Sequence, residues 1–203
     1  MSEAQDRALD SFVSLVAERG FAGVSLHDVA RAAGLGMGEL YGLYRDKVSL
    51  VSALMAQVDA RVLAGTPHDH DPEETARDRL FDVMMRRYDV LRPYRDALRE
   101  IRHAAMRDPL LAATLAPFVR RSMAAMLEAA RLPSDGLAGI VRQNGLLAIH
   151  YAVSRVFERD ETTDLSKTMA ALDSRLKTAE RWSQVFENYG FSKRRRTAAA
   201  PAP

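Results

Sequence analysis

Apolar residues recur at helical spacing along nearly the whole chain. From Glu3 to Arg19, Ala8, Leu9, Phe12, Val13, Val16 and Ala17 fall on one face, and Gly20 follows as a stop. Ser25 opens a short second helix. Asp28 follows at capping-box spacing, and Val29, Ala30 and Ala33 supply the apolar side. Gly34-Leu35-Gly36 interrupts the pattern. A third short helix is predicted from Met37 to Leu43, with Leu40, Tyr41 and Tyr44 towards its end. Asp46 is placed to cap a fourth helix bearing Leu50, Val51, Leu54, Met55, Val58 and Val62.

Residues 64–72, AGTPHDHDP, are polar and rich in breakers, and form the expected linker. Beyond them, Leu80, Phe81, Met84, Tyr88 and Leu91 form one stripe. Pro93 is read as starting the next helix, to Arg107, and Asp108-Pro109 as starting another that Pro117 bends or divides. Pro133 to Gly136 reads as a turn before a long helix from Leu137. The last helix repeats Leu165, Met169, Leu172, Leu176 and Ala179 at intervals of 4, 3, 4 and 3, a seam suited to a helix–helix interface. β-branched runs are absent, so the expectation is an all-α chain of about nine helices.

Composition narrows the classes. The chain has 203 residues, which fits one domain or two small ones. With no cysteine, disulfides, thiolate metal sites and cysteine nucleophiles are excluded. The polar N-terminus does not read as a secretory signal, and no run of about 18 apolar residues suggests a membrane span. A cytoplasmic location is expected. The net charge of +2 conceals the tail Lys193-Arg194-Arg195-Arg196, without which the chain sums to −2. Residues 192–203 are expected to be a disordered basic and Ala/Pro-rich tail. Trp182, Val185, Phe186, Tyr189 and Phe191 precede it, and are read as a helix end packed on its own bundle.

Two short helices joined at Ala-Ala-Gly-Leu-Gly make a helix-turn-helix, in which the second helix enters the DNA major groove. From Ala8 to Val62 the sequence resembles the TetR/AcrR family of bacterial transcriptional regulators. The resemblance rests on Glu18-Arg19-Gly20-Phe21, Ser25, Val29-Ala30, Ala33-Gly34-Leu35, Gly38, Leu40-Tyr41, Tyr44 and Lys47. It implies a three-helix DNA-binding domain over residues 1–63. A long helix joins this to a ligand-binding and dimerisation bundle over 73–191. By the same resemblance, Ser25 and Lys47 match phosphate-contacting positions and Tyr41 a backbone- or base-contacting aromatic. Met37 and Gly38 fall on the groove face, as does Gly42, and Tyr44 completes the DNA-contact set. The implied partners are a palindromic double-stranded operator, a hydrophobic small-molecule effector and a second copy paired through the last two long helices. A ligand-responsive repressor is the expected function.

Some positions depart from the family pattern. Met37 stands where a polar or basic residue is usual, and Gly36 where a Ser or Thr cap is usual. Glu39 adds a negative charge that could cap the helix, accept from a cytosine amino group or repel phosphate. Residues 1–63 carry six basic and eight acidic side chains, the wrong sign for binding driven by counterion release. A shorter stretch, Arg79 to Asp89, is similar to a segment of TetR-like lipid-binding ubiquinone-biosynthesis accessory proteins. That resemblance implies the alternative, a lipid- or isoprenoid-binding protein whose helix-turn-helix has no DNA role.

Other candidates carry two readings each. His68-Asp69-His70-Asp71 has metal-donor chemistry but lacks a third element, so a solvated linker is expected and no metal. His103, Asn144, His150 and Tyr151 are polar groups on apolar helices that could orient a ligand or bond locally. Phe81, Met84, Tyr88, Met106 and Phe118 would supply the apolar wall of such a pocket, or simply core. Arg86-Arg87, Arg120-Arg121, Arg95 and Arg99 are read as solvated faces. No phosphate loop, HExxH or nucleophile–base motif is present, so neither catalysis nor a cofactor is expected.

Overall fold

The computed structural model describes residues 2–67 and 73–181. It contains α1 (Glu3–Arg19), α2 (Leu26–Ala33), α3 (Met37–Leu43), α4 (Lys47–Ala64), α5 (Ala76–Leu91), α6 (Arg95–Arg107), α7 (Pro109–Ala129) and α8 (Gly136–Phe157). A further helix, α9, occupies 166–181, and no strand occurs among the described residues. His68 to Asp71, the segment from Trp182 and the basic tail lie outside them.

The predicted caps operate. Ser25 and Asp46 both form reciprocal capping boxes, with Asp28 and Ser49 respectively. Ser2 does the same with Gln5 at the start of α1, a pairing the apolar pattern did not signal. Arg92 to Tyr94 form a single 3-10 turn, so Pro93 marks a joint between α5 and α6 rather than the first turn of α6. Pro117 does not divide α7, which runs unbroken through it. The missing N–H leaves the Ala113 carbonyl without its helical partner, at an exposed residue.

α1, α2 and α3 enclose a small core of Phe12, Val16, Phe21, Val29, Ala30 and Leu40. Phe12 and Phe21 meet edge to face with ring centroids 6.4 Å apart. α4 leaves this unit and packs along α7 and α5, while α1 rests on α6. α4 is therefore shared by the two halves. α7 is long and apolar enough to span a membrane by length and composition, with mean hydropathy 1.3. Here its Leu115, Met123, Met126 and Leu127 are buried in the protein.

The seam read from α9 splits. Leu165, Leu172 and Leu176 are buried in the protomer's own core, whereas Met169 and Ala179 are exposed. The α8–α9 corner is built around buried Asp160. Its carboxylate accepts from the Thr162 backbone and hydroxyl, the Thr168 N–H at 2.8 Å and the Thr168 hydroxyl at 2.7 Å. Burial pushes this carboxyl's pKa up, but those hydrogen bonds outweigh it and hold the group well below the usual carboxylate range. Leu165, at the start of α9, has φ 53°, which this corner must maintain.

The folded-state pKa of Asp160 is depressed, so its stabilisation is complete above about pH 4 and is lost as pH falls through the folded value. Asp160→Asn is expected to cost about 1–3 kcal/mol at neutral pH. In urea titrations from pH 7 to 2, the gap from wild type should narrow in the acid range. A gap independent of pH would show that the charge of Asp160 is immaterial.

Candidate nucleic-acid interface and core cavity

The turn between α2 and α3 follows from its sequence. Gly34 takes φ 66° and ψ 32°, a left-handed conformation that disfavours a side chain. The Leu35 N–H then reaches back to the Ala30 carbonyl at 2.9 Å, and Leu35 itself is buried. This stop sets α3 across α2. Leu40 anchors α3 in the core, leaving Met37, Gly38, Glu39, Tyr41 and Gly42 facing out. Tyr41 is the most open large side chain of the group, at 56% exposure. A Cβ built at Gly38 or Gly42 would meet nothing within 4 Å, so internal packing does not demand glycine at either place. Gly36 supplies no side-chain cap, and the first turn of α3 gains no protein partner from it.

The other residues expected at DNA fall differently. Ser25 is exposed, but its hydroxyl donates to Asp28 at 2.5 Å and accepts from the Asp28 N–H. Both functions of that hydroxyl are occupied in the free protein. The Asp28 carboxyl is held below its ordinary pKa mainly by the Ser25 side chain and backbone. Tyr44 is only 5% exposed and is core, a correction to its reading as a DNA contact. It caps α3 through its backbone, and burial raises its phenol pKa.

Lys47, at the head of α4, donates to the Phe21 carbonyl at 2.6 Å and lies 4.4 Å from the Phe21 ring centroid. Partial burial lowers its pKa. The ammonium has three donors, so one contact fixes its place and leaves two to spend. Arg45 lies exposed between α3 and α4 with no ion-pair partner among the described residues. Its only sequence signal was adjacency to α3. The acidic excess is partly absorbed: Asp28 and Asp46 cap helices, and Asp59 turns inward.

A test separates the two cations. Arg45→Ala should reduce the slope of log K against log salt by about one unit and leave stability within about 0.5 kcal/mol. Lys47→Ala should reduce the slope equally and also lower the urea midpoint, because the Phe21 contact goes with it. Unchanged slopes in both variants would remove these residues from the interface.

The second half holds a cavity of about 400 Å³ among α4, α5, α6, α7 and α8, open to solvent beside Met106 and Tyr151. Met106, Phe118, His150 and Tyr151 line it, as does Val51 with Met55 from α4. Phe81, Met84, Tyr88, His103 and Asn144 do not. Met84 and Tyr88 are fully buried core, Phe81 packs beside them and Asn144 faces outward. His103 lies in a separate polar cleft with Arg19, Lys47 and Glu100, where α6 meets the α1–α2 loop.

Tyr88 stands behind the cavity wall, its hydroxyl 3.2 Å from His150 Nδ1. Burial raises the Tyr88 pKa, so the phenol keeps its proton. Burial, then the nearby Arg87 charge, lowers the His150 pKa to about 3, so the imidazole is neutral at pH 7. Arg87 corrects its reading as part of a solvated face. It is 1% exposed, touches the cavity and pairs with Asp59 of α4.

This geometry defines a helix-turn-helix protein whose α3 is presented to solvent and whose α4 runs back to a cavity. Residues 9–54 match the family described as Bacterial regulatory proteins, tetR family. The whole fold is similar to a TetR transcriptional regulator from Nitrosomonas europaea ATCC 19718, at 22% identity and TM-score 0.70, covering 87% of this chain and 97% of that one. A TetR regulator from Rhodococcus sp. RHA1 gives 21% identity and TM-score 0.60, over 86% and 96% of the two chains. Salmonella enterica GusR gives 21% and 0.55, over 86% and 95%. No curated protein sequence matches. The match over residues 9–54 falls on the helix-turn-helix, and the all-helical fold is similar to that of the TetR regulators.

Proposed function

We propose that this protein is a cytoplasmic transcriptional repressor that binds a palindromic operator as a homodimer and responds to a hydrophobic small molecule. The observation that carries this is α3, held on its Gly34 turn with Met37, Gly38, Tyr41 and Gly42 open to solvent, within the segment that matches the tetR family. Phosphate contacts would come from Lys47 and Arg45, with Ser25 contributing if its Asp28 contact exchanges.

Dimerisation is supported by an uncovered apolar stripe. Leu137 is 85% exposed, Val141 71% and Ile140 50%, all on α8, and Met169 adds to them from α9. Twofold pairing of α8 and α9 would cover these residues and fix the spacing of two α3 helices at about 34 Å or a multiple of it. The cavity between α4 and the later helices is the proposed effector site. An effector acts only through its differential affinity for the two arrangements of α4.

The test is selection of DNA from a random library by the purified protein at about 0.15 M salt. One enriched palindrome, bound by two protomers in a band-shift titration, is the expected result. No enrichment by folded protein would overturn the regulator reading. It would favour the reading in which the acidic helix-turn-helix is retained without DNA and the cavity holds a lipid.

A further inference from the structure

The charges around the cavity are not balanced. Its wall is mostly carbon, interrupted by Arg87, Arg102, Arg155, His150, Ser154 and Glu158. Arg102 and Glu158 neutralise each other through a two-point contact, Nε to Oε1 at 2.6 Å and Nη2 to Oε2. Arg155 is exposed and has no carboxylate partner among the described residues. Arg87 is paired with Asp59 from behind the wall, so the surplus positive charge is that of Arg155.

Arg87 is the unusual member. Its guanidinium offers five N–H donors and is almost wholly removed from water. Nη1 donates to Asp59 Oδ1, an oxygen that also accepts from the Ser122 hydroxyl. Nη2 meets only the Met55 sulfur, a weak acceptor, at 3.9 Å. Nε is buried and has no acceptor. A buried cation normally spends its donors on a carboxylate fork. Here most of that capacity is idle, immediately behind a cavity wall.

We propose that the cavity binds an amphipathic carboxylic acid, whose carboxylate engages the idle face of Arg87 and whose apolar body fills the space between α6, α7 and α8. The inference rests on the reading of this cavity as the effector site and names the effector's class. The Arg87 side chain shifts slightly towards the cavity to meet the acid. Arg155 supplies a second positive charge on the same wall. Neutral His150, its Nδ1 3.2 Å from the Tyr88 hydroxyl, adds a polar group to the same wall. At about 30 Å³ per water-sized group, the space takes on the order of ten to fifteen non-hydrogen atoms. A medium-chain acid is of that size. The carboxylate then shares Arg87 with Asp59, which belongs to α4, so occupancy weakens the tie between α4 and α5.

The probes are decanoate and decan-1-ol, titrated calorimetrically into the full chain below the aggregation concentration of the acid. Wild type should bind decanoate at least about tenfold tighter than the alcohol. Asp59→Asn keeps an oxygen acceptor for Arg87 but removes the competing charge, and should tighten decanoate binding several-fold. Asp59→Asn with Arg87→Gln removes both charges without stranding either, and should remove most of the preference for acid over alcohol, leaving only what Arg155 contributes. Equal binding of the two probes by wild type, binding of neither, or a preference undiminished in the double variant would overturn the proposal. The wild-type ratio decides even if a variant fails to fold. No DNA enters the titration, so its outcome is separate from that of the operator selection.

Discussion

Asp59→Ala is expected to destabilise the fold by about 3–5 kcal/mol, among the largest losses any single substitution here should cause. The reason is what it leaves behind. Arg87 is 1% exposed, and Asp59 is its only charged partner among the described residues. Without that carboxylate a cation remains buried with a thioether sulfur as its best neighbour. Arg87→Met should cost less, about 1–3 kcal/mol, because the Asp59 side chain keeps 17% exposure and the Ser122 hydroxyl still donates to it. Removing both partners should cost less than Asp59→Ala alone, since no charge is then stranded. Urea denaturation of the four proteins gives the cycle. Strictly additive losses would mean that the pair is incidental and that packing alone holds α4 against α5.

That pair also shows where the sequence was legible and where it was not. Leu80, Phe81, Met84, Tyr88 and Leu91 read as one stripe; four are buried, and Phe81 is half-buried against the core. Arg87 lies on the same stripe, seven residues after Leu80. Its charge made a solvated face the natural reading, because a lone arginine is seldom buried. Its partner, Asp59, sits 28 positions earlier on another helix, and nothing local announces the match. The helix-turn-helix was readable because its determinants are local. Ser25 and Asp46 cap, Gly34 turns, and Leu40 alternates with exposed neighbours within a single turn of helix. Even there, Tyr44 looked like an interface aromatic and proved to be core, since two tyrosines three apart need not share a face with equal exposure.

The cavity was the hardest feature to anticipate. Met106, Phe118, His150 and Tyr151 do line it, but they come from three helices whose crossing geometry no short-range pattern encodes. Residues of the same chemistry, such as Met84 and Phe81, became core instead. The seam of α9 gave a correct periodicity with a different partner. Leu165, Leu172 and Leu176 serve the protomer's own core, and the uncovered apolar residues sit chiefly on α8.

Gly38→Leu should separate folding from recognition more sharply than any other substitution in α3. In the free protein a side chain at this position enters open space, so nothing inside the protomer resists it. Leucine also favours helix over glycine by about 0.5–1 kcal/mol, so the urea midpoint should hold or rise. On DNA the opposite follows. With glycine at positions 38 and 42, the backbone of α3 can lie close to base edges and the flanking Arg45 and Lys47 can reach phosphates. A leucine at 38 would hold the helix away from the groove and lengthen those contacts together. Operator affinity should fall about a hundredfold or more, about 2.7 kcal/mol. Gly38→Ala, with one methyl group, should show the same pair of signs at smaller amplitude. Competition band shifts on the selected operator, beside urea unfolding of the same samples, read both quantities. Undiminished affinity in Gly38→Leu would place the groove-facing surface elsewhere on α3. Lost stability would instead mean that position 38 packs against something in solution, and that its openness is not the reason for glycine.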